Sequence, residues 1–303
     1  MSDAVRIVEV GPRDGLQNEK TPIGVADRVA FVEALVAAGC PVVEVGSFVS
    51  PKAVPQMAGS DAVLRALDHY AGHEFHVLVP NEKGYDAARA AGAKVIAVFA
   101  SASEGFSRAN INCSVAESIA RFKPVLARAK ADGVKVRGYI SCVLGCPFDG
   151  EVAPAAVVRV ADALWREGCY EVSLGDTIGV GTATKARELL RAVAGVVPMQ
   201  NLAMHFHDTY GQALANLYAG LEEGARVIDA AAGGLGGCPY APGATGNVAT
   251  EDVVYMLNGM GVATGIDLDK VAIAAREVCA KIGRVPVSRV NAALLARQRR
   301  AAG

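Results

Sequence analysis

The sequence predicts one α/β domain, a (β/α)8 TIM barrel with an additional C-terminal helix, and three observations lead to this prediction. Short apolar runs rich in β-branched residues alternate with longer amphipathic stretches. Eight such runs can be counted, and glycine ends several of the stretches between them. The 303 residues match the size of one α/β barrel. We therefore expect a single domain over 1–303, with roughly 264–303 as a helical extension.

The apolar runs are the strand candidates. Each is short and dominated by Val, Ile, Leu and Ala, which is typical of parallel strands that are buried on both faces. Active sites of such barrels lie just beyond the carboxyl ends of the strands, so the residues at those ends are the candidates for chemistry. The eight candidates begin at Arg6, Val42, His76, Val95, Val136, Tyr170, Leu202 and Val227.

The amphipathic stretches indicate helices that return the chain to the same end of the sheet. The first runs from Val25 to Ala38 and stops at Gly39, a residue that suits the position after a helix because it accepts a positive φ. Eight strand–helix units predict parallel strands, and that number favours a closed barrel over an open doubly wound sheet. An extra helix is expected from Asp267 to Gly283. Four further stretches end at Gly92, Gly133, Gly168 and Gly224.

Composition and charge argue against several classes of protein. Hydrophobic residues make up 52% of the chain, and 30 basic residues balance 31 acidic ones, giving a net charge of −1. This balance does not indicate a nucleic-acid surface, and we interpret the basic segment 297–300 as a solvated tail. No apolar run reaches ~18 residues, so no membrane span is predicted. The first strand begins near Arg6, and we expect no targeting segment and a cytoplasmic protein of bacterial type.

The cysteines support a reducing compartment. Seven are present, an odd number without a repeating framework, which favours free thiols over structural disulfides. Cys142 and Cys146 have a spacing that zinc would tolerate, but no second Cys or His pair lies nearby in the sequence to complete a tetrahedral site.

Two histidines close the seventh strand candidate. His205 and His207 are separated by one residue, so both side chains point to the same face of a strand. Two converging imidazoles are a natural start for a divalent metal site. The alternative is a hydrogen-bonded histidine pair without a metal, which the position at a barrel strand end makes less favoured.

A rigid turn, Gly11-Pro12-Arg13-Asp14-Gly15, closes the first strand candidate. The carboxylate of Asp14 would complete a metal site with the two histidines, or it would pair with Arg13 and brace the turn. Glu44, in the second strand candidate, is a partner for Arg13 inside the barrel, because a buried arginine needs an opposite charge.

Polar residues also end the sixth strand candidate and the eighth. Asp176 would hydrogen-bond a metal ligand or a substrate hydroxyl, although it or Thr177 would serve equally well as a helix cap. The segment Gly233–Tyr240 carries four glycines in its first five positions and would act as a mobile lid. Cys238 lies in that segment, where a neighbouring cation would lower its pKa; the alternative is an inert packed cysteine. Asn247 offers an amide oxygen to a cation or is simply a turn residue.

Together these motifs resemble those of the 3-hydroxy-3-methylglutaryl-CoA lyase family. The resemblance covers nearly the whole chain, and its GGLGGCPYA and SFVSPK segments are quite specific to the family. The Arg–Asp pair with a second-strand Glu is shared more widely, with metal-dependent TIM-barrel lyases and Claisen condensation enzymes. Other matching segments are VEVGPRDGLQNEK, NINCS, RGYISCVLGCPF, YEVSLGDTIGVGT, HFHDTYGQALAN and ATEDVVYML.

The resemblance implies a role for each matching residue. Arg13 matches the arginine that stabilises enolate charge, Cys238 matches the catalytic cysteine, and Glu44 and Asp176 match acidic residues of the active site. We further expect Arg13, Tyr139 and Ser173 to contact the substrate. The family's ligands for Mg²⁺ or Mn²⁺ match Asp14, His205, His207 and Asn247.

The implied reaction is a metal-assisted retro-Claisen cleavage of (S)-3-hydroxy-3-methylglutaryl-CoA to acetyl-CoA and acetoacetate, as in leucine degradation. The base stays open among Asp14, His205 and a water relayed by Asp176. The expected partner is a small acyl-CoA substrate, with no nucleic acid or membrane, and a homodimer is expected by family analogy. Lys20 and Lys52 are candidates for contacts with the CoA phosphates.

The sequence leaves three alternatives to this reaction. One is a lyase for a longer 3-hydroxy-3-alkylglutaryl-CoA. Another is a synthase that joins acetyl-CoA to a 2-oxo acid, because it would share Arg13, Asp14, Glu44 and the histidine pair. The third is a non-enzymatic acyl-CoA or metal-binding protein, which would leave the glycine-rich cysteine segment without a purpose.

Overall fold

The computed structural model describes residues 4–237 and 246–302. Eight parallel strands form a closed barrel in which each strand pairs with the next and the eighth pairs with the first. The predicted (β/α)8 barrel is therefore confirmed. The strands are β1 (Arg6–Glu9), β2 (Val42–Ser47), β3 (Glu74–Leu78), β4 (Val95–Ser101), β5 (Lys135–Ser141), β6 (Glu171–Asp176), β7 (Leu202–Phe206) and β8 (Val227–Ala230).

Helices surround the barrel. Within the residues that the structure describes, no helix has both the length and the apolar character needed to cross a bilayer. The helix expected from Asp267 to Gly283 is present as α10. The helices are α1 (Val25–Ala37), α2 (Ser60–Ala66), α3 (Glu82–Ala90), α4 (Glu104–Ile111), α5 (Val115–Ala131), α6 (Pro154–Arg166), α7 (Ala183–Val193), α8 (Ala213–Glu222), α9 (Thr250–Gly259), α10 (Leu268–Lys281) and α11 (Arg289–Ala302).

The glycines predicted to end helices do so with a left-handed backbone. Gly39 has a φ of +94°, and a Cβ atom there would lie 2.4 Å from the carbonyl oxygen of Gly265. Any other residue would therefore suffer both backbone strain and a steric clash. The same positive φ is found at Gly92, Gly133, Gly168 and Gly224.

The basic segment 297–300 lies on the last helix, α11, and its side chains are exposed, in keeping with a solvated segment on the expected helical extension. The helix is anchored through Asn291, whose Nδ2 donates to Glu251 Oε1 at 2.8 Å and to the Ala272 carbonyl at 3.0 Å. These partners lie on α9 and α10, 40 and 19 residues away in the chain. Such distant contacts cannot be recognised in the local pattern.

Charged side chains lie inside the barrel and pair across it. Arg137 on β5 bonds to Asp229 on β8, and Tyr139 on β5 donates to Glu44 on β2. Neither pair joins neighbouring strands, so these contacts cross the interior of the barrel. All four residues are buried, and buried charges are tolerated only when they are paired in this way.

A buried carboxylate joins the ends of β1 and β8. Glu9 Oε1 accepts from the backbone amides of Gly11 at 2.8 Å and Ala232 at 3.0 Å, while Oε2 accepts from Thr250 Oγ1 at 2.5 Å. Burial, opposed by these hydrogen bonds and reinforced by the nearby charge of Glu251, raises the pKa of Glu9 from 4.5 to about 7.

Replacing Glu9 with glutamine should flatten the pH dependence of stability. Folded Glu9 keeps a proton that the unfolded chain releases, so its contribution to stability falls as the pH rises from 4.5 to about 7. Thermal unfolding by circular dichroism across this interval should show a shallower slope for Glu9→Gln, with at most roughly 3 kcal/mol at stake. The exposed Glu277→Gln is the matched control, and an unchanged slope in Glu9→Gln would contradict the assignment.

Candidate active site

The turn after β1 is a single turn of π-helix, Gly11–Gly15. A Cβ at Gly11 would lie 2.6 Å from Glu9 Oε1, and one at Gly15 would lie 2.7 Å from Leu235 Cβ, so neither position has room for a larger residue. Turns of this kind are often found at functional sites. The tight packing fixes the backbone that carries Arg13 and Asp14, as predicted.

Asp14 and the two histidines of β7 converge at the end of the barrel. His205 Nε2 lies 3.4 Å from His207 Nε2 and 3.9 Å from Asp14 Oδ2. Each of the three residues offers one ligand atom, and these atoms all lie within 4.8 Å of one another. The predicted convergence of strands one and seven is therefore confirmed, and the cluster can hold a metal ion.

Asn247 adds an oxygen to this cluster. Its backbone pairs with that of His207 in a single antiparallel bridge, and its Nδ2 donates to Asp14 Oδ2 at 2.8 Å and to the Leu235 carbonyl at 3.1 Å. Among residues 4–237 and 246–302, no donor forms a hydrogen bond with its buried Oδ1. Such an oxygen is costly unless something else satisfies it. Beside a carboxylate and two imidazoles, it fits a divalent cation.

The charges of the cluster favour the metal-binding forms of Asp14 and His207. At His205 burial lowers the pKa, but the hydrogen bond to Asp229 and the charge of Asp14 outweigh it, so the pKa is raised. Burial would raise the pKa of Asp14, but the charges of Arg13 and the two histidines outweigh it and hold the pKa at about 2. Burial and the neighbouring His205 lower the pKa of His207 to about 4. Near neutral pH, Asp14 is therefore a carboxylate and His207 a neutral imidazole, which are the states that coordinate cations.

Arg13 is clamped between two carboxylates beside the metal ligands. Its Nε and Nη2 both lie 2.7 Å from Glu44 Oε2, and its Nη1 donates to Asp14 Oδ1 at 2.8 Å. The predicted pairing of Arg13 with Glu44 is confirmed, and so is the pairing with Asp14. A guanidinium held on both sides loses little further freedom when it meets a substrate.

Beneath the ligands lies a layer of charged side chains that the sequence analysis missed. Arg137 donates from Nε to Glu171 Oε1 at 2.7 Å and from Nη2 to Asp229 Oδ1 at 2.6 Å. Asp229 Oδ2 in turn lies 3.1 Å from Nδ1 of His205. The available signal was a charged residue inside each of three apolar strand candidates, because such residues are rarely buried without a partner.

Tyr139 and Ser173, predicted to contact the substrate, lie at different depths. The ring of Tyr139 lines the pocket, while its hydroxyl accepts from Arg137 Nη1 at 2.8 Å and donates to Glu44 Oε2 at 3.3 Å. Ser173 is fully buried and donates to Asp229 Oδ2 at 2.8 Å. Contact with substrate stays a prediction for both residues, and the geometry favours it for Tyr139.

Asp176 accepts two backbone hydrogen bonds from the segment that leads to α7. Its Oδ1 accepts from the amide of Val180 at 3.2 Å and its Oδ2 from that of Gly181 at 2.8 Å. These contacts resemble the capping alternative. Thr177 Oγ1 accepts from the amide of Cys142 at 2.8 Å and so braces the ends of β5 and β6 against each other. A catalytic role for Asp176 stays a prediction.

Arg13, Asp14, His205 and His207 line a pocket of about 410 Å³. Apolar side chains also line it, so the pocket combines charged groups with hydrophobic surface, as small-molecule sites commonly do. The apolar side chains include Val49, Val54, Leu78, Phe99, Phe106 and Ile111.

The predicted catalytic cysteine, Cys238, lies outside the described residues. The residue before it, Gly237, lines the pocket, and its carbonyl accepts from Asn18 Nδ2 at 3.1 Å. The role of Cys238 therefore stays a prediction.

Known proteins with similar sequences are lyases that are named for acyl-CoA substrates. A Pseudomonas aeruginosa protein named 3-hydroxy-3-isohexenylglutaryl-CoA/hydroxy-methylglutaryl-CoA lyase is 59% identical over 293 residues, covering 97% of this chain and 98% of the relative. The hydroxymethylglutaryl-CoA lyase of Pseudomonas mevalonii is 54% identical over 297 residues, covering 98% of this chain and 99% of that protein.

Solved structures give the same result. The crystal structure of hydroxymethylglutaryl-CoA lyase from Pseudomonas aeruginosa superposes with a TM-score of 0.96 at 58% identity, covering 98% of this chain and 99% of that one. An HMG-CoA lyase from Acinetobacter baumannii, solved with coenzyme A and 3-methylmalate, has a TM-score of 0.91 at 34% identity, covering 96% of this chain and 95% of that one. The family model described as HMGL-like matches residues 4–278. The chain is similar to these lyases over nearly its whole length, and it belongs to the HMGL-like family.

Proposed function

We propose that the chain cleaves (S)-3-hydroxy-3-methylglutaryl-CoA to acetyl-CoA and acetoacetate. The observation that carries the proposal is the convergence of Asp14, His205 and His207 beside Arg13 on the wall of the pocket. A cation site and a fixed guanidinium are what a substrate with a carboxylate, a hydroxyl and a thioester requires. The names of the similar proteins support the same substrate.

Asp14, His205, His207 and Asn247 would hold the cation, and we propose Mg²⁺ or Mn²⁺. Two nitrogen and two oxygen donors leave positions for substrate oxygens in the octahedral geometry that these ions prefer. When bound, the ion would polarise the hydroxyl and carboxylate oxygens of the substrate as a Lewis acid.

Arg13 would stabilise the charge that develops on the thioester. Cleavage of the C2–C3 bond leaves its electron pair on the acetyl-CoA fragment as an enolate, while the tertiary alcohol becomes the ketone of acetoacetate. The guanidinium is already fixed by Glu44 and Asp14, so it can meet the enolate oxygen without reorganisation.

The protons balance without water as a reactant. The hydroxyl proton leaves to a base, and one proton returns to C2 of the enolate. The base is Asp14, His205 or a water relayed by Asp176, and the low pKa of Asp14 argues against the first. We assign the returning proton to Cys238, which follows the pocket-lining Gly237.

Replacing Cys238 with alanine should lower kcat by about 100-fold or more with little change in KM, because general acid catalysis contributes about that much. Steady-state kinetics would measure the effect, and an unchanged Mn²⁺ affinity would show that the metal site is intact. A kcat close to that of the unmodified chain would remove the cysteine from the mechanism.

Product analysis tests the function directly. The chain incubated with Mg²⁺ and 3-hydroxy-3-methylglutaryl-CoA should give equal amounts of acetyl-CoA and acetoacetate by mass spectrometry. Release of free CoA from acetyl-CoA and a 2-oxo acid, with no cleavage of the lyase substrate, would overturn the proposal in favour of a condensing enzyme.

A second substrate is favoured by the apolar side chains of the pocket, which include Leu78, Phe99 and Phe106. A longer 3-alkyl branch would find hydrophobic cover there, and one relative is named for the isohexenyl substrate. Parallel kinetics with the two thioesters would rank them.

We also propose a homodimer in the cytoplasm, on the family resemblance and the bacterial relatives. Light scattering coupled to size exclusion would test the assembly, because a dimer would show twice the chain mass of 31.2 kDa.

A further inference from the structure

Asp229 on β8 is a fully buried carboxylate that receives four hydrogen bonds. Arg137 donates from Nη2 to Oδ1 at 2.6 Å and from Nη1 to Oδ2 at 2.9 Å. Ser173 Oγ donates to Oδ2 at 2.8 Å, and Nδ1 of His205 lies 3.1 Å from the same oxygen. Oδ1 thus faces one donor and Oδ2 three, and an ionised carboxylate has no hydrogen of its own to offer any of them.

This arrangement dictates the tautomer of His205. A carboxylate paired with Arg137 offers only acceptors, so Nδ1 of His205 must carry the hydrogen that it presents to Asp229. The lone pair is then on Nε2, which is the atom that faces His207 Nε2 and Asp14 Oδ2. A ligating histidine needs its lone pair directed at the cation, and the partner of its other nitrogen decides this.

Arg137 keeps Asp229 in place. Its Nε is bound to Glu171 on β6, and its two terminal nitrogens grip both oxygens of Asp229 on β8. The carboxylate therefore cannot rotate away from His205 without breaking a bidentate ion pair across the barrel, which is costly in a buried site.

We propose that Asp229, held by Arg137, is a positioning residue that fixes the tautomer and ring plane of His205 and thereby sets the divalent-cation affinity of the Asp14–His205–His207 cluster. The proposal rests on the proposed function, because that function requires a cation at this cluster. It assigns to Asp229 no direct contact with the substrate.

The test compares Mn²⁺ binding to the full chain and to two variants, measured by the loss of the free Mn²⁺ electron paramagnetic resonance signal. Asp229→Asn keeps the shape of the side chain and should raise the Kd for Mn²⁺ by about 10- to 100-fold, as loss of such partners typically does. Glu171→Gln removes another buried carboxylate from the same arginine without touching His205, and it should leave the Kd close to that of the unmodified chain. Equal weakening in both variants, or none in Asp229→Asn, would overturn the proposal.

A second readout uses no cation. Nitrogen-15 resonances of His205 in the metal-free chain, recorded at a pH high enough for the imidazole to be neutral, should show the Nδ1–H tautomer. In Asp229→Asn the amide oxygen would accept from Arg137, so the amide NH2 group would face His205. Nδ1 would then act as an acceptor, and the Nε2–H tautomer should increase. An Nε2–H tautomer in the unmodified chain would sink the idea, and this measurement needs no variant to fold.

The two proposals fail in different ways. Absence of cleavage products with retained Mn²⁺ binding and the predicted tautomer would reject the proposed substrate and leave the role of Asp229 standing. Normal cleavage with unchanged Mn²⁺ affinity in Asp229→Asn would reject the role of Asp229 and leave the proposed substrate standing. At saturating Mn²⁺ the kcat of Asp229→Asn should recover toward that of the unmodified chain, because all ligands are still present.

Discussion

Replacing Arg13 with methionine should lower kcat by about 10³-fold with a much smaller change in KM. The guanidinium is a fixed positive charge on the wall of the pocket, and a preorganised donor to a developing oxyanion contributes roughly 10²–10³ in kcat. Methionine preserves much of the side-chain length but has neither the charge nor the donors. Steady-state kinetics with 3-hydroxy-3-methylglutaryl-CoA would separate the two parameters.

Two companion variants control for indirect effects at Arg13. Within the part of the chain that the structure describes, the methionine substitution leaves the buried Glu44 with the hydroxyl of Tyr139 as its one side-chain hydrogen-bond donor, so some loss of thermal stability is expected. Arg13→Met combined with Glu44→Gln should recover stability but not kcat. Arg13→Lys retains the charge without the forked geometry and should be intermediate. A raised KM with a normal kcat in Arg13→Met would show that Arg13 serves only ground-state binding.

Replacing Asp14 with alanine should prevent tight binding of Mn²⁺ and lower kcat by about 10³-fold or more. The substitution removes the carboxylate that faces His205 and that holds both Asn247 Nδ2 and Arg13 Nη1. The two imidazoles that remain are neutral ligands, so the carboxylate that would balance the charge of a cation is lost. Mn²⁺ titration and kinetics on the same preparation would test both effects.

Removing the metal from the unmodified chain should reproduce the loss caused by Asp14→Ala. Treatment with a chelator should abolish cleavage, and added Mg²⁺ or Mn²⁺ should restore it only when Asp14 is present. The exposed Asp269→Ala on α10 is the matched control, because it removes one acidic charge far from the pocket. Full activity of the chelated chain would contradict the metal assignment.

The sequence by itself predicted the barrel and the place of its chemistry. Alternating apolar and amphipathic runs, with glycines such as Gly39 after the helices, report on local backbone preferences that each segment expresses alone. Once parallel strands are inferred, their carboxyl ends must share one face of the barrel. That is why the sequence alone predicts that Asp14 after β1 and His205 at the end of β7 lie together.

The tertiary structure alone decided which charges meet inside the barrel. Arg137 and Asp229 are 92 residues apart and lie on strands that are not neighbours, so their contact depends on how the closed sheet staggers its strands. The same closure placed Ser173 below the pocket and not on its wall, and it set the contact between Asn291 and Glu251 that anchors α11. A local pattern records whether a residue is buried in a strand, but the partner across the barrel is set by the geometry of closure.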